Sequence, residues 1–288
     1  MNDQEFWLTF GPLFAVNIYV LSALVVFAFI YKKVPQNEEV QDRHSSIILN
    51  KWIREYWMWV TSPIFKVLVY FKVTPNFVSG LGAFFALLCA LAFAFHKIGL
   101  AGWFMVIGAS FDFFDGRLAR LTNQRTEAGS FFDSSLDRVS EGLALTGVAY
   151  MYHSHWLFWV GMAAYLGSML TSYTKAKGET MGVDYSGGMM QRPERIAYLG
   201  AGAIITPMIA YFAFPALQGM GWVSSVNQLE EYLYAIPLAF VALLCNIASW
   251  NRIGNIMKLL NKKEFGSENG RPDANFDPEH MRSQNQYS

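Results

Sequence analysis

The sequence predicts an all-α integral membrane protein of seven transmembrane helices and one interfacial amphipathic helix. Three observations carry that expectation. Of the 288 residues, 53% are hydrophobic and 16% aromatic, with a mean hydropathy of +0.23, which is too apolar for an ordinary soluble domain. The apolar residues gather in runs close to the roughly 20 residues that a helix needs to cross about 30 Å of hydrocarbon. With the first residue outside and seven crossings, every Lys and Arg except Lys97 falls on the inner side or at an inner helix end, as the positive-inside rule requires. Formal net charge is zero, so bulk charge gives no argument for nucleic acid, and no such partner is expected.

Residues 13–31 are apolar apart from Asn17 and Ser22 and close on Lys32 and Lys33, which predicts a first helix stopped by cations. The opening Met1-Asn2-Asp3-Gln4-Glu5 lacks the positive start of a signal peptide, so this helix is expected to remain. A polar linker follows over 34–46. Over 47–70, Trp52, Trp57 and Trp59 alternate with Lys51, Arg54 and Glu55, and Pro63 interrupts; this predicts a helix lying in the interface, a buried soluble helix being the alternative. Thr74, Pro75 and Asn76 open the next span as N-cap and first turn, and it continues over 77–95. After the turn at His96-Lys97-Ile98 come two helices, over 99–121 and about 130–152. His153-Ser154-His155 reads as a turn, since no carboxylate or Cys stands near the two His to complete a metal site. Further spans are expected over 156–173, 196–216 and 233–250, with a polar loop over 174–191 that contains Gly182, Gly187 and Gly188. Arg252, Lys258, Lys262 and Lys263 follow the last span, and the tail over 264–288 is expected to be disordered and cytoplasmic. Cys89 and Cys245 lie inside apolar runs and read as reduced packing residues.

The chemistry concentrates between Asp112 and Asp137. Asp112, Asp115, Gly116, Ala119 and Arg120 share one helical face, and Gly129, Asp133 and Asp137, spaced by four, share another. The apolar stretches beside them are too short to span alone, so each helix must include its Asp-bearing end. Counting from the outer ends at about 1.5 Å per residue, Asp112 and Asp137 both lie roughly 20 Å deep, with Asp115 and Asp133 about 5 Å nearer the inner surface. One Asp at the bilayer centre costs roughly 2.5 to 3.5 kcal/mol on insertion scales, so four need a compensating partner. Carboxylate oxygens select hard cations such as Mg²⁺ or Mn²⁺. The bland alternative is capping of helix ends, or pairing with Arg117, Arg120, Arg125 and Arg138. Gly116, Ala119 and Gly129 leave a wall of minimal side chains where a base or ribose can pack, and Arg120 offers a forked donor to phosphate; close helix packing is the alternative for the small residues.

The whole stretch resembles the signature of the CDP-alcohol phosphotransferases, D-x2-D-G-x2-A-R-x8-G-x3-D-x3-D, and matches all eight fixed positions. The resemblance implies a six-helix membrane core, over about 74–263, to which the first helix (1–33) and the linker with its interfacial helix (34–73) are additions. It implies that Asp112, Asp115, Asp133 and Asp137 bind two divalent cations, Mg²⁺ or Mn²⁺, and that Asp137 is the base on the acceptor hydroxyl. CDP-diacylglycerol is the implied donor, CMP the leaving group and a homodimer the implied assembly. A second resemblance concerns the acceptor. Ser172-Tyr173-Thr174-Lys175-Ala176-Lys177-Gly178-Glu179, the pair Gly187-Gly188, and Arg192-Pro193-Glu194-Arg195 are similar to the matching region of bacterial phosphatidylinositol-phosphate synthases, which carry Arg and Ala where this chain has Lys177 and Gly178. Arg192 and Arg195, three apart at a helix start, are placed to face one anion, with Ser172 and Lys175 completing a pocket for a phosphorylated polyol.

The expected function is therefore transfer of a phosphatidyl group from a CDP-lipid to a phosphorylated polyol, inositol phosphate foremost and glycerol 3-phosphate as runner-up. The site is expected to face the cytoplasm from the inner membrane. A cation transporter also places carboxylates in a membrane, but broken helices and internal repeats are not found in the sequence. A non-catalytic scaffold has no need of all four Asp.

Overall fold

The computed structural model describes residues 3–31, 51–183 and 189–265. These form eight helices and no strand: α1 (Asp3–Ile30), α2 (Lys51–Tyr70), α3 (Pro75–Ala94), α4 (Ile98–Leu121), α5 (Glu127–Met151), α6 (Leu157–Thr180), α7 (Arg192–Gly219) and α8 (Val226–Phe265). The expected linker over 34–46, the glycine pair Gly187-Gly188 and the tail beyond 265 lie outside the described residues.

Local chemistry sets the helix starts. Thr74 caps α3, its hydroxyl accepting from the Phe77 amide at 3.4 Å, with Pro75 in the first turn. Thr126 caps α5 in the same way, accepting from the Gly129 amide at 3.0 Å, so α5 begins at Glu127 rather than near Ser130. In α7 the Glu194 carboxylate accepts from the Gln191 amide at 3.0 Å, closing a capping box that places Arg192 in the first turn.

Five helices are long and apolar enough to cross a membrane by length and composition: α1 over Phe10–Ile30, α3, α4, α7, and α8 over Val226–Glu264. Each of the other two core helices is polar at one end, with Asp133, Asp137 and Glu141 on α5 and Lys175, Lys177 and Glu179 on α6. Three boundaries differ from the sequence expectation. Pro63 does not break α2, because packing grips the helix on both sides of it: Tyr56 and Val60 pack with Phe27, and Phe65 with Val78 and Leu118. The expected loop from 174 is helical as far as Thr180; Thr174 bonds back to the Leu170 carbonyl at 2.8 Å, and Gly178 lets α6 close on Ile256, where a Cβ would stand 2.9 Å from Cδ1. The last helix is far longer than the apolar run over 233–250, spanning 40 residues and taking in Lys258, Lys262 and Lys263.

The core joins α3 to α8 through a buried cluster that includes Phe93, Leu145, Val148, Tyr234, Leu238 and Val241. Helix α3 packs along both α4 and α5, α7 packs on α4, and α8 packs on α6 and α7, while α4 and α5 barely touch. Missing side chains allow these approaches: a Cβ on Gly147 would stand 2.5 Å from the Ala90 Cα, and one on Gly102 would stand 2.8 Å from the Gly200 carbonyl oxygen. The two motif helices are therefore held by their neighbours rather than by each other. Helix α1 is peripheral. Its Phe27 is fully buried among Trp52, Tyr56 and Trp59 of α2, at ring-centroid distances of 5.5, 5.6 and 5.5 Å. Cys89 and Cys245 are free and buried.

Candidate active site

One nitrogen ties the two motif helices together. Arg192 Nη1, from the first turn of α7, lies 2.6 Å from Asp112 Oδ2 on α4 and 2.7 Å from Asp137 Oδ1 on α5. Asp115, one turn after Asp112, is 3% exposed and accepts from the Ser79 hydroxyl of α3 at 2.6 Å. Asp133 is half-buried. The four carboxylates are electrostatic neighbours: the charge of Asp133 acts on Asp112, Asp115 and Asp137, and that of Asp112 acts on Asp115 and Asp137. Four carboxylates this close together demand cations, and Arg192 supplies one.

The donor set suits a hard divalent cation, and the guanidinium marks where two of its carboxylates already converge on positive charge. As they stand, no three His, Cys, Asp or Glu side chains among the described residues close on one point. Asp112, Asp115, Asp133 and Asp137 are the residues that could hold such an ion.

The small residues divide into two kinds. Around Gly116 there is open space, the one atom within 4 Å of a would-be Cβ being Arg120 Nη1 at 3.7 Å, so Arg120 folds back over a bare patch of α4 beside half-buried Ala119. Gly129 has a local duty, since a Cβ there would stand 3.0 Å from the Thr126 oxygen that caps α5. Gly82 of α3, which the sequence reading passed over, packs directly on Asp112, with 3.3 Å from a would-be Cβ to Oδ1.

Arg192 and Arg195 do not face one anion. Arg195 is 2% exposed and turns into the protein, where Nε and Nη2 meet the two oxygens of Glu141 at 2.5 and 2.9 Å. Its Nη2 also donates to Ser172 Oγ at 3.0 Å and its Nη1 to the Met190 carbonyl at 2.7 Å. Ser168 also donates to Glu141. Arg192 on Asp137 and Arg195 on Glu141 thus form two rungs between α7 and α5. Lys175 is half exposed and pairs with Glu179 at 3.8 Å. Glu141 was missed in the sequence, although it continues the row Asp133, Asp137 by four more residues and so carries the acidic face one turn deeper. Ser79 gave no signal.

The rungs border a cleft with Asp112, Ser140, Glu141, Arg192 and Arg195 among its polar lining and Cys89, Met105 and Leu145 among its apolar walls.

Comparison with known proteins bears on the family and the fold. A phosphatidylinositol phosphate synthase of Cutibacterium acnes is 32% identical over 167 residues, 56% of this chain and 81% of the relative. An archaetidylinositol phosphate synthase of Pyrococcus horikoshii is 28% identical over 167 residues, 58% of this chain and 87% of the relative. Among solved structures, Mycobacterium tuberculosis phosphatidylinositol phosphate synthase (PgsA1) in complex with manganese and citrate superposes with a TM-score of 0.57 at 25% identity, over 68% of this chain and 88% of that one. The same enzyme with CDP-DAG bound gives a TM-score of 0.56 at 24% identity, over 68% and 92%. The profile of the CDP-alcohol phosphatidyltransferases matches residues 72–247, well over half of the chain. An all-helical membrane protein that carries the complete eight-position acidic motif on two core helices, this chain belongs to the CDP-alcohol phosphatidyltransferase family and is a transferase of phospholipid synthesis.

Proposed function

We propose that the chain transfers the phosphatidyl group of CDP-diacylglycerol to a hydroxyl of a phosphorylated polyol, inositol phosphate, and releases CMP at the cytoplasmic face of the inner membrane. The observation that carries this reading is Arg192, a single cation placed between the acidic motif and the cleft that an acceptor would enter. The relatives named for inositol phosphate products, and the neighbour solved with CDP-DAG, support the same substrates.

In this reading the lipid-linked nucleotide lies along the open patch at Gly116 and Ala119, with Arg120 on its phosphates and Gly129 beside it. Arg192 binds the acceptor phosphate and turns the hydroxyl toward Asp137. Asp137 takes the hydroxyl proton as the acceptor oxygen bonds to the phosphorus that carries the lipid. The bond from that phosphorus to the CMP oxygen breaks, and CMP leaves with the electron pair. Asp112, Asp115, Asp133 and Asp137 would hold two divalent cations, Mg²⁺ or Mn²⁺, which would supply positive charge to the reacting phosphate. Arg195 and Ser172 shape the acceptor side from behind, and Lys175 guides the anion from the rim. The catalytic membrane domain is then 74–263, and the family's homodimer is the assembly to test by crosslinking in the membrane.

The test is CMP release by the full chain in nanodiscs with CDP-diacylglycerol, divalent metal and a panel of alcohols. Inositol phosphate should turn over fastest. Turnover with glycerol 3-phosphate alone overturns the acceptor assignment, and no release with any alcohol overturns the whole reading.

A further inference from the structure

Two arginines stand within the motif stretch of α4, and they leave the helix differently. Arg120 folds toward Gly116 on the active-site face. Arg117 is turned about 140° from Asp112, at about 100° per residue, and leaves the site altogether. It is 5% exposed, and its guanidinium enters α2. Nη1 donates to Thr61 Oγ1 at 2.7 Å, Nη2 donates to the Met58 carbonyl at 3.3 Å, and Cζ sits 4.2 Å over the centre of the Phe65 ring. Phe65 in turn meets Phe114 edge-on at 5.6 Å and shares a buried cluster with Val78 and Leu118.

Helix α2 lies before the residues 72–247 that match the family, so this contact ties the motif helix to a segment outside the matched domain. A buried guanidinium needs partners for its donors and charge, and α2 supplies a hydroxyl, a carbonyl and a ring face toward it. Asp115, two residues earlier, is pinned from the other side by Ser79 of α3. The inner end of α4 is thus fixed at two points, one on each flank of Gly116. Helix α2 also exposes Ile64, Val67 and Tyr70, as a helix seated at a membrane surface would.

We propose that α2 is a positioning element of the active site, acting through Arg117 to hold Asp115 and Gly116 at the depth where the membrane presents the nucleotide head of the CDP-lipid. The lipid-borne substrate approaches along the interface that seats α2, whereas the acceptor arrives from water. Loss of the tie therefore harms recognition of the CDP-lipid selectively. A purely structural role differs: it lowers the folded fraction and kcat and moves neither Michaelis constant. The inference rests on the transferase reading but not on which alcohol accepts.

The test uses the full chain in nanodiscs, with Arg117→Met, Arg117→Lys, Thr61→Val and the double variant Arg117→Met/Thr61→Val. Thermal unfolding, both Michaelis constants, and CDP-diacylglycerol binding without acceptor are measured. Arg117→Met should weaken CDP-diacylglycerol binding at least about tenfold, the worth of one charge-assisted hydrogen bond, and leave the acceptor Michaelis constant unchanged. Arg117→Lys should recover part of the loss, Thr61→Val should shift the same constant less, and the double variant should be no worse than Arg117→Met. Unchanged CDP-diacylglycerol affinity in folded Arg117→Met, equal rises in both Michaelis constants, or additive effects overturn the proposal. Should Arg117→Met not fold, Thr61→Val decides: a selective loss of lipid affinity supports the tie and wild-type affinity overturns it. The binding arm needs no acceptor, so an error in the acceptor assignment leaves this result standing.

Discussion

Arg192 Nη1 lies 2.7 Å from Asp137 Oδ1 and reaches Asp112 Oδ2 with the same nitrogen, at 2.6 Å. Its Nε is buried without a hydrogen-bond partner, so the guanidinium is well paired in charge but incompletely bonded. Such a group can be exchanged for a better cation and freed to bind an anion. Arg192→Ala should raise the acceptor Michaelis constant about 10- to 100-fold through loss of a charge-assisted contact. In the absence of substrates the same variant should bind Mn²⁺ at least as tightly as the wild type, because a competing cation is gone. Calorimetry checks this, and weakened Mn²⁺ binding in Arg192→Ala contradicts it.

Arg195 behaves differently because its surroundings do. It is bonded to both oxygens of Glu141, to Ser172 and to the Met190 carbonyl, all within the protein. Truncating either partner of a buried ion pair leaves the other uncompensated and costs about 3 to 5 kcal/mol. Arg195→Ala and Glu141→Ala should each lower the midpoint of thermal unfolding in detergent markedly, whereas Arg192→Ala should hardly move it. Equal melting of all three variants contradicts the division between a binding arginine and an anchoring one.

The sequence made much of this legible and some of it not. Apolar runs give the long helices of the core, because hydrocarbon thickness acts on local composition. The acidic face is readable because helical spacing alone brings Asp112 and Asp115, or Asp133 and Asp137, together. The fate of Arg195 was not readable: three-residue spacing from Arg192 says that both lie near one face, but only the packing of α7 on its neighbours shows that Glu141 captures one of them. The length of α6 was hidden for a similar reason. A polar stretch from 174 looks like a loop until Gly178 is seen to close on Ile256 of α8, a contact between residues far apart in the chain.

Glycines of one chemical type should respond oppositely to substitution. Gly147→Val drives side chain into Ala90 backbone, where even a Cβ would stand 2.5 Å from Cα, and should block folding. Gly116→Leu meets open space and should leave the fold intact, yet raise the Michaelis constant for CDP-diacylglycerol by filling the nucleotide wall. A folded Gly116→Leu enzyme with wild-type affinity for the CDP-lipid removes the patch from the nucleotide site.

Asp112, Asp115 and Asp133 should each be indispensable as hard anionic ligands. Conversion of any one to Asn should abolish CMP release while the protein still inserts in the membrane. Excess chelator should silence the wild type, with activity restored by added Mg²⁺ or Mn²⁺. Full turnover in chelator removes the metal role from all four Asp at once.

Asp137 is the residue whose role is most sharply open to test. It stands between Asp133 and Glu141 on one face of α5, each one turn away, and it shares Arg192 with Asp112 across the cleft. Arg192 on the acceptor phosphate would therefore bring the acceptor within reach of Asp137. A base must come within about 2.6 to 3.2 Å of the hydroxyl whose proton it takes, and losing it costs rate more than affinity, typically 10²- to 10⁴-fold. Asp137→Asn should keep the size and the remaining oxygen of the side chain, so CDP-lipid and metal should still bind while turnover falls by about two or more orders of magnitude. The rival is that Asp137 serves only as a metal ligand and solvent or the product takes the proton. Calorimetry separates the two, because a metal ligand lost to Asn weakens metal binding in step with turnover. If metal affinity and turnover collapse together, the base assignment to Asp137 falls and the proton must leave by another route.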